Sequence, residues 1–141
     1  SKTVGDATDL AEITSSPVPD SDLYQMTIAE AVSSNRPTVV SFATPAFCQT
    51  ATCGPQVEVV ASLKDRYKHK ANFIHVEVYD NPKEMAASPS KRRVSPLMQE
   101  WGLLSEPYSF VLDRNGLITA KFEGFVTEAE LEASLSAVLG P

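Results

Sequence analysis

Apolar positions along the chain repeat with two different periods, and the switches between them give the order of elements. Thr38–Ala43 (TVVSFA) is a short β-branched and apolar run, as expected of a buried strand. Residues 72–79 (NFIHVEVY) set Ile74, Val76 and Val78 on one face of a second strand. Between them, residues 55–69 follow helical spacing. Val60, Leu63 and Tyr67 recur at steps of three and four, with Lys64, Asp65 and Lys68 outside that stripe. Pro55 suits the first helical position, where no N–H is needed. Tyr108–Leu112 reads as a third strand and residues 117–122 as a fourth. They are joined by Asp113-Arg114-Asn115-Gly116, a tight hairpin turn in which Asn-Gly tolerates positive φ.

Polar signals mark the remaining helices. Thr27 with Glu30, and Thr127 with Glu130, are capping-box patterns that open helices over residues 28–33 and 128–139. Pro37 biases its predecessor away from helix and closes the first of these. Ser95-Pro96 opens a short helix through Trp101, stopped by Gly102. Residues 1–25 are polar and carry Ser15-Ser16-Pro17-Val18-Pro19-Asp20, which predicts an extended lead-in to a domain over residues 26–141. The stretch from Asp80 to Pro96, roughly fifteen residues with three prolines, is a long loop for a compact domain and suggests a lid or an insertion. Strands separated by helices pair in parallel and a tight turn forces antiparallel pairing. The fold class is therefore α/β, with a mixed sheet of four to five strands and helices on both faces.

Composition narrows the function. The chain has 141 residues, 43% of them hydrophobic and 21% charged, which fits one soluble globular domain with a full core. Its net charge of −6 argues against nucleic acid as a partner. The one basic cluster, Lys91-Arg92-Arg93, lies among Ser and Pro and reads as a solvated loop. No apolar run reaches the ~20 residues that span a bilayer. The chain starts at Ser1 and shows no signal peptide, as expected of a mature or trimmed chain. His69 at a helix end and His75 on a strand do not form a metal-ligand pattern, so neither a metal nor another cofactor is expected. The sequence assigns no oligomeric state.

The two cysteines, Cys48 and Cys53, are the chemical feature. Their number and spacing suit a deliberate disulfide, in an oxidising compartment or in a redox enzyme. Both lie between the first strand and the second helix, whose free N–H groups and dipole stabilise a thiolate. The distance from Phe42 favours Cys48 as nucleophile, and the following Gly54-Pro55 favours Cys53. Five residues of helix rise about 7.5 Å, whereas disulfide Cα atoms lie about 4.4–6.8 Å apart. Residues 48–52 are therefore expected to form a loop or distorted turn in the oxidised form. A six-residue ring contributes only about 2 kcal/mol, little that a domain of this size needs. A redox role leads, and a structural disulfide is the alternative.

The element order, the position of Cys48 after Phe42, and the segment Glu106-Pro107-Tyr108-Ser109-Phe110-Val111-Leu112-Asp113-Arg114-Asn115-Gly116 resemble the thioredoxin superfamily, in particular its extracytoplasmic disulfide reductases. Phe122-Glu123-Gly124 and the helix after Thr127 resemble the closing strand and helix of that group. The likeness covers residues 37–140. It implies a cis Pro107 beside the cysteine pair and a substrate groove formed by Glu106, Pro107, Phe47 and Pro45. It further implies thiol–disulfide exchange with a protein or small-molecule partner, and a location outside the cytoplasm, secreted or anchored through a segment outside this chain. Trp101 and Tyr108 could line the same groove or serve the core. The pattern departs from the family in three ways. The pair is Cys-x4-Cys rather than Cys-x2-Cys. Ser41 stands where thioredoxins carry a buried Asp, with Glu77 on the neighbouring strand a candidate substitute. Phe47 replaces the usual Trp. The Cys-x4-Cys spacing also occurs in some peroxiredoxins, but those place Thr or Ser where this chain has Pro45. A non-catalytic binding module and a thiol peroxidase are thus the two competing readings.

Overall fold

The computed structural model of the chain describes residues 1–48 and 51–140. Four strands form one sheet in the order β2-β1-β3-β4. They are β1 (Thr38–Ala43), β2 (Asn72–Glu77), β3 (Tyr108–Leu112) and β4 (Ile118–Glu123). β1 and β2 are parallel, with Ser41 beside His75 and Ala43 beside Glu77. β1 and β3 are antiparallel, with Phe42 beside Tyr108, and β3 and β4 are antiparallel across the Asp113–Gly116 turn. Every residue of β1, β2 and β3 is buried, whereas β4 is a partly exposed edge strand.

The pleat sorts side chains onto two cores. On one face, Val39, Ala43, Phe73 and Val111 pack with Val57, Val60 and Leu63 of α2 (Cys53–Tyr67) and with Leu131 and Leu135 of α5 (Glu128–Leu139). On the other, Val40, Phe42, Ile74, Val76 and Phe110 pack with Ala31 of α1 (Ile28–Val32) and Met98 of α4 (Pro96–Glu100). The Thr27–Glu30 capping box forms in full. At α5, the Thr127 hydroxyl accepts from the Glu130 amide, but the Glu130 carboxylate bonds that hydroxyl instead of the Thr127 amide.

The elements differ from the sequence expectations at several points. α2 begins at Cys53, two residues before Pro55, because Pro55 needs no N–H anywhere in the first turn. Lys64 lies outside the apolar stripe yet is buried, because its ammonium is held by Asp20 at 2.7 Å, Asp22 at 3.0 Å and Asp65 at 2.6 Å. β2 ends at Glu77, and Tyr79 makes only an isolated bridge to Val94. The expected long loop contains α3 (Pro82–Ala87), started by Pro82 at its first position and anchored by buried Met85, and a 3-10 turn at Pro89–Lys91.

The lead-in is not extended throughout. It carries 3-10 turns at Val4–Asp6, Leu10–Glu12 and Ser21–Tyr24, each opened by a Thr or Asp side chain that accepts from the backbone. It packs onto the α2 face through Ile13, Leu23 and Tyr24, all buried.

Candidate active site

The parallel β1–β2 pair ends at Ala43 and Glu77, and one step beyond the Phe42–Tyr108 pairing sets Pro107 beside Ala43. The chain leaving β1 turns at Thr44–Phe47, reaches Cys48, and re-enters regular structure at Cys53, the first residue of α2. Cys48 and Cys53 are disulfide-bonded, with Cα atoms 5.9 Å apart, inside the range such a bridge needs. The two sulfur-bearing residues are unequal: Cys48 is half-buried and Cys53 is fully buried. Of the expected loop over residues 48–52, Cys48, Ala51 and Thr52 are non-helical, as required for bonding, while Gln49 and Thr50 lie outside the described residues.

The Glu106–Pro107 peptide is cis. Pro107 is buried, while Glu106, Phe47 and Pro45 are half-buried. The Pro107 carbonyl accepts from the Gly124 amide at 2.8 Å, which joins this loop to the end of β4. The start of α2 is fixed to the same region by Gln56, whose buried side chain accepts from the Val126 amide at 2.7 Å and donates to the Val126 carbonyl at 3.3 Å. Trp101 is half-buried and Tyr108 is buried. Trp101 packs on Phe42 and Phe110, and Tyr108 lies in the same core.

A buried polar row runs through the α2 face of the sheet. Ser41 and Ser109 share a hydrogen bond of 3.1 Å. On β2, His75 is entirely buried. Its Nε2 donates to the Ala43 carbonyl at 2.9 Å, which leaves Nδ1 to accept from the Tyr24 hydroxyl at 2.7 Å. Burial lowers the His75 pKa to about 4, so the ring is neutral at neutral pH. Burial likewise pushes the Tyr24 phenol up. Glu77, one pleat further on, accepts from the Ser15 amide at 2.6 Å through Oε1, while Oε2 has no partner of hydrogen-bond geometry among the described residues. Burial raises the Glu77 pKa to about 7, against the weaker opposing pull of Ser15, the Val78 amide and the Thr44 hydroxyl.

Of the residues singled out in the sequence, the structure bonds Cys48 to Cys53, makes the Glu106–Pro107 peptide cis and buries Glu77. Sequence reading missed Gln56, Ser15 and Tyr24. The apolar pair Leu23-Tyr24 inside a polar lead-in was a usable signal for the last of these, and nothing in the sequence marks the other two.

A thioredoxin-like domain family matches residues 24–139, most of the chain. The chain belongs to that family. Solved structures show the same fold. A candidate thiol:disulfide interchange protein DsbE from Chlorobium tepidum is 17% identical, with a TM-score of 0.64 over 82% of this chain and 86% of that one. A thiol:disulfide interchange protein of the thioredoxin family from Chlorobium tepidum TLS is 14% identical, with a TM-score of 0.60 over 79% and 85%. MTB DsbF, in mixed oxidised and reduced forms, is 18% identical, with a TM-score of 0.58 over 74% and 81%. No curated protein matches the chain significantly. Family, fold and bonded pair together support thiol–disulfide exchange. Among the described residues no helix is long and apolar enough to cross a membrane, and no three His, Cys, Asp or Glu side chains gather as a metal site would require.

Proposed function

We propose that this domain is a thiol–disulfide oxidoreductase in which Cys48 attacks and Cys53 resolves. The observation that carries the reading is the asymmetry of the pair: a half-buried cysteine on the loop, bonded to a fully buried one at the first position of a fifteen-residue helix. Attack needs access to an incoming disulfide, which favours Cys48. Resolution is intramolecular and needs none. The N-terminus of α2 stabilises the Cys53 thiolate whenever that sulfur is released.

In the reducing direction the Cys48 thiolate bonds one substrate sulfur, and the other substrate sulfur leaves and takes a proton. The Cys53 thiolate then bonds Cys48, and the first substrate sulfur leaves in turn. Two electrons and two protons pass to the substrate, and the protein ends as the disulfide. Glu106 and Pro107, with Phe47 and Pro45, flank the approach of a protein or small-molecule disulfide. A bonded pair suits a location outside the cytoplasm.

Insulin reduction with dithiothreitol as donor tests this reading. Cys48→Ser is expected to fall to the uncatalysed background. Cys53→Ser is expected to stall after the first step and accumulate a mixed disulfide on Cys48, visible by mass spectrometry. A structural bridge with no exchange role is the competing reading, because the Cys-x4-Cys spacing is unusual for the family and Ser41 stands where a buried acid is usual. A reduction potential well below about −300 mV for the pair would favour that reading and sink the proposal.

A further inference from the structure

Residues 14–16 cross the end of the sheet between the buried acid and the cysteine loop. The Ser15 amide donates to Glu77 Oε1 at 2.6 Å. The Ser15 hydroxyl accepts from the amide of Ala46, two residues before Cys48, at 3.0 Å. A third bond, from the Ser16 amide to the Thr14 hydroxyl at 3.1 Å, closes the segment on itself. One residue of the lead-in thus spans the gap between a carboxyl group on β2 and the loop that carries Cys48, across sequence separations of 62 and 31 positions.

We propose that Ser15 is a positioning residue for the cysteine loop, and that Glu77 is the buried anchor that holds Ser15 in place. The inference rests on the exchange reading above and assigns that reaction a control the cysteines alone do not supply. An ionised carboxylate binds an N–H about twice as strongly as a neutral acid does. Ionisation of Glu77 therefore tightens the strap, seats the Ser15 hydroxyl under Ala46, and keeps Cys48 beside Cys53.

The surroundings leave the anchor free to titrate. Glu77 lines a cavity of about 480 Å³ together with Ile13, His75, Tyr79, Asp80 and Pro96, which gives its proton a path to solvent. On its own strand, His75 Nε2 lies 4.0 Å from Glu77 Oε2 but is committed to the Ala43 carbonyl. From the end of β1 the Thr44 hydroxyl faces it, and from the lead-in the Tyr24 phenol feels its charge. At the cavity rim stand Asp6, Glu12, and Lys2, which is paired with Asp80 at 3.0 Å. Among the described residues, no lysine or arginine forms an ion pair with Glu77, and the nearest basic group is His75 at 4.0 Å. The group changes charge near neutrality, where burial has set it.

Two variants and two readouts test the strap in the full chain. The first readout is amide hydrogen exchange at Ala46, resolved by NMR and corrected for intrinsic pH dependence. In the parent protein, Ala46 protection is expected to rise by about fivefold as pH passes through 7, the effect of strengthening one hydrogen bond chain. Ser15→Ala keeps the amide and removes the hydroxyl. It is expected to lose about fivefold protection at Ala46 and to flatten the pH step. Glu77→Gln keeps an acceptor for the Ser15 amide but cannot ionise, and it is expected to abolish the step. The second readout is the balance between the disulfide with two glutathiones and the dithiol with glutathione disulfide. Ser15→Ala is expected to shift it about threefold toward the dithiol. Ala46 protection unchanged in Ser15→Ala, or a pH step that survives in Glu77→Gln, overturns the proposal. Ala46 exchange is measured whether or not the pair reacts with any substrate, so failure of the insulin assay removes the exchange reading without deciding this one.

Discussion

Glu77 and His75 lie two positions apart on β2 and place opposite demands on pH. Burial holds Glu77 neutral up to about pH 7, while an unfolded Glu ionises near 4.5. The folded state therefore binds the extra proton, and stability that is fully present below pH 4.5 is lost as pH rises through 7. His75 works the other way. Its folded pKa of about 4 lies below the unfolded 6.5, so its contribution is present above 6.5 and lost as pH falls through 4. Each group is worth about 3 kcal/mol across its window by the conversion of pKa shift to free energy. Over the shared window of pH 4.5 to 6.5 the two slopes cancel. Glu77→Gln removes one of them. Its urea-unfolding free energy is expected to rise between pH 4.5 and 6.5 by about 2–3 kcal/mol more than the parent's does. Parallel pH curves for the two proteins would show that Glu77 carries no buried penalty. His75→Gln is expected to tilt the curve in the opposite sense.

At the scale of elements, the 3-10 turn Ser21–Tyr24 differs from the two turns before it in burying side chains, Leu23 and Tyr24. Leu23 is fully buried against the α2 core, and the Lys64 ammonium clips the turn to α2 through Asp20 and Asp22. Leu23→Ala is expected to cost about 2–5 kcal/mol in urea unfolding, the range for opening a cavity in a closed core. A cost below about 1 kcal/mol would mean that the lead-in floats free of the domain. The same turn shows where sequence reading stops. Strands β1, β2 and β3 announce themselves because each is a run of buried apolar and β-branched residues between turn signals, and α1 and α5 because Thr and Glu sit at capping spacing. Cys48, Cys53 and Pro107 are visible because few residue types can do their chemistry. The strap is not visible, because its contacts come from the Ser15 amide and hydroxyl. Polar residues in a Ser- and Pro-rich stretch make such bonds with water just as well, and only the tertiary structure supplies Glu77 and Ala46 as partners. α3 escaped notice for a related reason: its six residues are too few to show a period, and burial of Met85 rather than propensity holds it.

For the whole molecule, the proposed exchange role asks little of the bridge in stability and much in reactivity. Closing a ring of six residues limits the unfolded chain by about 2 kcal/mol in the chain-entropy treatment. Cys48→Ser/Cys53→Ser is therefore expected to remain folded, with the oxidised parent more stable by about that amount in urea. A loss of more than about 4 kcal/mol would mark the bridge as a main support of the fold. The two cores on either side of the sheet bear the structural demand, which leaves the sulfur pair free to open and close. The sheet itself carries one open boundary. β4 is a terminal strand with Leu117 and Ile118 exposed at its start, and an unpaired row of N–H and C=O groups there is a template on which a second molecule could lay a strand. Lys121 and Glu123 are exposed on that strand, so a docking neighbour must strip water from two charges before it gains a ladder. Those two charges, which take no part in sulfur chemistry, oppose strand addition along this edge.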